Sequence, residues 1–102
     1  MMRRCHVVGA GLSGLAAAVA LARAGVAVSL YEAAGQAGGR CRSFHDRTLD
    51  RQIDNGNHLV MAGNTATFAY LDAVGTRDQL VSRGATFPFL DLASGERWTV
   101  RP

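Results

Sequence analysis

The 102-residue chain carries 11 basic and 8 acidic residues, a net charge of +3, with 48% hydrophobic and 19% charged residues. This balance excludes a disordered chain and fits one small soluble domain with a modest core. Every basic residue is an arginine and the arginines are scattered, so no basic patch with interleaved aromatics marks a nucleic-acid face. Cys5 and Cys41 form neither a disulfide framework nor a zinc-ligand spacing, and as free thiols they fit a cytosolic protein.

Residues 4–8, Arg-Cys-His-Val-Val, read as a short strand. His6 within it reads as a packed or edge residue, and Cys5 as a small buried hydrophobe. Gly9, Gly11 and Gly14 follow in the spacing G-x-G-x-x-G, and each glycine has its own reason to be there. Gly9 makes the tight turn out of the strand. Gly11 leaves the backbone bare for a pyrophosphate, and Gly14 lets the next helix pack closely on the strand. That helix runs from about Leu12 to Ala24, with Leu15, Val19 and Ala22 on one face and Gly25 as a left-handed cap. Its first turn presents unpaired N–H groups and the positive end of the macrodipole, which suits a phosphate.

A second strand takes residues 26–31 and ends at Glu32, eighteen positions past the last glycine. A carboxylate at this place accepts hydrogen bonds from a ribose diol and repels a 2′-phosphate. The stretch is therefore an α/β, Rossmann-like βαβ unit of the kind that binds FAD or NAD(P). Met1-Met2-Arg3-Arg4 before an apolar run also resembles a secretion signal, but the glycine phasing, Arg23 and the strand ending in Glu32 argue against one. No run reaches the ~18 apolar residues of a membrane span.

Beyond Glu32 comes Gly38-Gly39-Arg40. Paired glycines permit close backbone approach, and Arg40 offers a planar charged fork for phosphate. The alternative is a surface loop with a solvated arginine. Residues 41–53 form a hairpin around the polar stretch 46–50. In Asp54-Asn55-Gly56-Asn57-His58, Asn-Gly is a turn signal, so this segment is either an ordinary hairpin turn or a place where Gly56 and His58 lie against a flat ring. Asn64 is expected to cap a helix over 65–74, closed by Gly75, with Phe68, Leu71 and Val74 facing inward. Residues 86–92 and 97–101 read as two strands, with Phe87, Phe89 and Trp98 as sheet packing and Pro88 marking an edge. A dinucleotide fold needs further parallel strands to cover its faces, so the chain reads as the N-terminal portion of a longer enzyme or as a truncated reading frame.

The three-glycine turn, Glu32, Gly38-Gly39-Arg40 and the run from Asp54 to His58 together resemble the N-terminal part of FAD-dependent flavoproteins of the amine oxidase and phytoene desaturase superfamily. The run from Asp54 to Leu59 and the helix residues Ala66-Thr67 are most similar to the hydroxysqualene dehydroxylase branch, with Asn57 where glutamine is expected. The resemblance implies FAD as cofactor. Gly9, Gly11 and Gly14 would line its pyrophosphate, Glu32 would hold the adenosine ribose, and Gly39 with Arg40 would contact the phosphates or the linker. Gly56 and His58 would lie near the isoalloxazine. It further implies that residues from about 80 open a substrate domain and that the substrate is an apolar isoprenoid. The whole enzyme is then expected to be cytoplasmic, with peripheral contact at the inner membrane. Carotenoid desaturases and amine oxidases are the alternatives within the superfamily, and a non-catalytic nucleotide-binding fragment is the alternative outside it.

Overall fold

The computed structural model describes residues 1–55, 59–82 and 84–101. Its first unit is β1 (Arg4–Val8), α1 (Leu12–Arg23) and β2 (Ala27–Tyr31). The two strands run parallel, with Arg4 opposite Ala27 and Val8 opposite Tyr31, and α1 crosses between them to pack on both. The ladder continues one step into the turn, where the Gly9 N–H donates to the Tyr31 carbonyl at 2.7 Å.

Glycine 14 explains how closely helix and strand approach. A Cβ built there would run into the carbonyl oxygen of Gly9, so any side chain would force the helix off the turn. The inward face of α1 carries Gly14, Leu15, Ala18, Val19 and Leu21. Ala22, expected on that face, is exposed. Around the helix Ala22 lies between Ala18 and Leu15, so it shares their direction, but its place in the last turn leaves it uncovered. At its C-terminus Gly25 N–H donates to Ala22 O at 3.0 Å and Val26 N–H to Leu21 O at 3.0 Å, with Gly25 left-handed at φ +78. This is the paired-bond stop that glycine makes possible at a helix end.

The second unit is the hairpin β3 (Ser43–Asp46) with β4 (Arg51–Asp54). Asp46 closes its turn by accepting from the N–H groups of Thr48 at 2.9 Å and Leu49 at 2.8 Å. Then come α2 (Thr65–Val74), a 3-10 turn at Arg77–Gln79, and the antiparallel pair β5 (Phe87–Leu90) and β6 (Arg97–Val100). Phe89 and Trp98 stack across this pair with ring centroids 5.5 Å apart, and Pro88 lies opposite Thr99 in a two-stranded ribbon that is all edge. The Asn64 side chain does not cap α2. Its Oδ1 accepts from the Met61 N–H at 2.8 Å, closing the preceding turn instead. Val74, expected to face inward, is exposed, while Phe68 and Leu71 are half-buried.

The core is thinner than the composition suggests. Ala10, at 2% exposure, is the one buried hydrophobic residue among those described, whereas Val8 is 87% exposed and Leu92 89%. The accessible surface is 8759 Å² for a 10.8 kDa chain, against about 5,500 Å² for a folded monomer of that mass. The radius of gyration is 18.7 Å, against about 13 Å for a compact domain of this length. Apolar area of that kind stabilises a fold only when another surface covers it. The isolated chain should accordingly show a broad, non-cooperative change when Trp98 fluorescence is followed on heating. A sharp sigmoidal transition would contradict this expectation.

Candidate functional site

The turn after β1, the end of β2 and the Gly38-Gly39 loop converge on Ala10. The Ala10 N–H donates to Oε2 of Glu32 at 2.7 Å. Its carbonyl accepts from the Gly38 N–H at 2.8 Å. The other carboxylate oxygen of Glu32 accepts from the Ala34 N–H at 2.9 Å. These donors hold the Glu32 carboxyl below its ordinary value, with Ala34 contributing most and Ala10 next, against the opposing effect of desolvation. A carboxylate offers about four acceptor positions, so one on each oxygen stays open to a further donor such as a diol.

Gly39 packs directly on the first turn. Its φ is +59, and a Cβ built on it would lie 3.2 Å from the Gly11 Cα. A side chain here would push the two turns apart. Gly11 itself faces open space, since a Cβ on it meets nothing within 4 Å, and no side chain caps the N-terminus of α1 behind it. The bare backbone, the uncapped helix end and the pinned carboxylate form a cradle whose donors suit a diphosphate and whose acceptor suits a sugar.

The structure thus brings Gly9, Gly11, Gly14, Glu32 and Gly39 into one cluster. The main chain of Arg40 borders it, with its carbonyl accepting from Asn55 Nδ2 at 2.9 Å. The side-chain ion pairs among the described residues, His45–Asp50 and Arg77–Asp72, do not engage Arg40. Gly56 and His58 lie outside the described residues. His6 makes a 3.0 Å contact with the Tyr31 hydroxyl on the sheet and takes no part in the cluster. A groove of about 450 Å³ along α2, lined by Ala62, Thr65, Phe68, Ala69, Asp72 and Arg77, shares no residue with it. Sequence reasoning missed Ala10, which acts through backbone atoms that any residue carries. It read Gly38 for close backbone approach but not as the donor to Ala10, and Asn55 only as half of a turn dipeptide.

Residues 12–99 match the flavin containing amine oxidoreductase family. The chain belongs to that family. It is 52% identical over 101 residues to hydroxysqualene dehydroxylase of Sinorhizobium fredii, covering 98% of this chain and 24% of that protein. It is 50% identical over 102 residues to the hydroxysqualene dehydroxylase of Rhodopseudomonas palustris, covering 99% of this chain and 24% of the relative. Among solved structures, wild-type putrescine oxidase bound to putrescine superposes with a TM-score of 0.69 at 32% identity, over 100% of this chain and 22% of that one. The chain therefore spans about a quarter of the length of the curated relatives it matches. The fold is the Rossmann-like βαβ start of an FAD-binding domain, and FAD is the cofactor.

The Glu32 brace has a pH signature. Its folded value is lowered, so the contacts are present above the ordinary value of 4.5 and are lost as pH falls through the lower folded value. In a full-length protein carrying these residues, the amide resonances of Ala10 and Ala34 should shift together on acidification, with a midpoint below 4.5. Both should stay flat in Glu32→Gln. Independent movement of the two resonances would show that they do not share one carboxylate.

Proposed function

We propose that these residues form the FAD-binding end of an oxidoreductase that removes the hydroxyl group of hydroxysqualene to give squalene, a step of hopanoid synthesis. The observation that carries the substrate class is the 52% identity to the Sinorhizobium fredii dehydroxylase across nearly the whole chain. Once reduced by an electron donor, bound FAD would supply the hydride that forms the new C–H bond, while the hydroxyl would leave with a proton as water and the flavin would return to its oxidised form.

The chain's own residues bind and orient. Gly11 and the first N–H groups of α1 receive the pyrophosphate, with Gly9 shaping the turn and Gly14 holding the helix against it. Glu32 accepts from the adenosine ribose through its two open lone-pair positions. Its negative charge disfavours a 2′-phosphate on that ribose. Gly39 and Arg40 meet the phosphates or the linker toward the flavin, and Gly56 and His58 lie near the isoalloxazine. The residues from about 80 onward, including the β5–β6 ribbon, open the substrate domain.

An isoprenoid alcohol of this size partitions into lipid, so the whole enzyme works from the cytoplasm in peripheral contact with the inner membrane. No helix among the described residues is long and apolar enough to cross one.

The test is a full-length protein carrying these residues, purified and supplied anaerobically with a chemical reductant and hydroxysqualene. Squalene is the expected product. Turnover of a carotene or an amine in its place would move the substrate reading to another branch of the family. A protein without flavin would overturn the cofactor placement. Glu32→Ala should weaken FAD retention by roughly tenfold or more, the scale of a lost hydrogen bond to a charged group. Unchanged flavin content would remove Glu32 from the site.

A further inference from the structure

We infer that Asn55 is a positioning residue for Arg40, tying the β3–β4 hairpin to the cofactor loop; this rests on the FAD reading above. Asn55 is bonded twice to the segment that follows Gly39. Its side-chain Nδ2 donates to the Arg40 carbonyl at 2.9 Å, a bond that only the amide end of the side chain can make. Its backbone N–H donates to the Arg42 carbonyl at 2.8 Å, continuing the β3–β4 ladder by one step. On the other side the segment is fastened by Gly38 N–H to Ala10 O at 2.8 Å, and internally by Cys41 N–H to Gly38 O at 3.1 Å.

The main chain of Arg40 is therefore held between two fixed bodies, the βαβ unit through Ala10 and the hairpin through Asn55. A long side chain with four rotatable bonds aims poorly unless its root is fixed, and the ordering entropy it loses on binding falls when the root is fixed beforehand. Asn55 is exposed, and the hydrogen bond its side chain makes among the described residues goes to the Arg40 carbonyl, so its contribution runs through that group.

The experiment is a double-mutant cycle in a full-length protein, for instance these residues completed with the remaining three quarters of the Sinorhizobium fredii relative. FAD dissociation constants are measured for the parent, Asn55→Leu, Arg40→Ala and the double variant. Asn55→Leu should weaken FAD roughly tenfold when Arg40 is present and by less than about twofold in the Arg40→Ala background. The melting temperature of the cofactor-free protein should not change. An equal loss in both backgrounds, or no loss in the first, overturns the inference. Should Arg40→Ala bind too weakly to measure, hydrogen exchange of the cofactor-free protein decides. Asn55→Leu should speed exchange over residues 38–42 and leave β1 and α1 unchanged, and unchanged exchange over 38–42 overturns the inference. A parent that binds no FAD would instead sink the cofactor reading itself, which is a distinguishable result.

Discussion

The backbone of Ala10 is where the cofactor region is joined together. Its N–H is taken by Glu32 at the end of β2, and its carbonyl is taken by Gly38 at the start of the second glycine pair. Neither bond involves a distinctive side chain at position 10, yet the residue is 2% exposed. A backbone N–H or C=O buried without a partner is costly, so a turn this enclosed forms only when both groups are satisfied. The two loops that satisfy them are those expected to carry the ribose acceptor and the phosphate-facing arginine. The geometry of the site is thus a consequence of how one buried residue is hydrogen-bonded.

This arrangement also separates two anions that would otherwise compete. A phosphate and a carboxylate are both drawn to clustered N–H groups. Here the carboxylate occupies the N–H groups of Ala10 and Ala34, and the start of α1 has no side-chain cap. Glu32 is ionised at neutral pH in any case, and its backbone donors extend that charge to lower pH. Charges closer together than the Debye length of ~8 Å repel effectively, so a third anion at the ribose is disfavoured. On the proposed placement of the ribose, a preference for the unphosphorylated sugar would follow from where the carboxylate is pinned, beyond its mere presence at the strand end.

The βαβ unit was legible because its signals are local and steric. Gly9, Gly14 and Gly25 stand where the backbone demands them, and the apolar strands and alanine-rich helix between them admit one arrangement. The strand pairs 43–54 and 87–100 were legible from their turn residues for the same reason. Reading failed where a side chain had two partners to choose from. Asn64 is a good helix cap, but the N–H of Met61 lies within its reach, and the turn closure took the oxygen. Ala22 was placed inward by periodicity and does lie on the half-buried stripe, but in the last turn of α1 it stays exposed, which periodicity alone does not register. Asn55 was read for its backbone preference before glycine, while its side chain makes the long-range bond. A modest core was expected from 48% hydrophobic content, but composition counts apolar residues without saying what will lie against them.

The contrast between an ordered cofactor turn and a sparse core has a physical origin in sequence separation. The bond from Ala10 to Glu32 spans 22 residues, and every other contact of the first turn closes within the first forty. Loops of this length are inexpensive to close, and hydrogen bonds with glycine sterics suffice to define the turn. Side chains such as Val8 and Leu92 have no such local partner, and burying them calls for surface contributed from far away in sequence. The two layers meet at one bond. Gly9 N–H donates to the Tyr31 carbonyl, so the turn is the last rung of the β1–β2 ladder. Any strand added beside β1 or β2 limits the twisting and fraying of that ladder and so stiffens its final rung. Burial of the apolar faces and rigidity of the cofactor turn are coupled through the sheet, even though they draw on different residues.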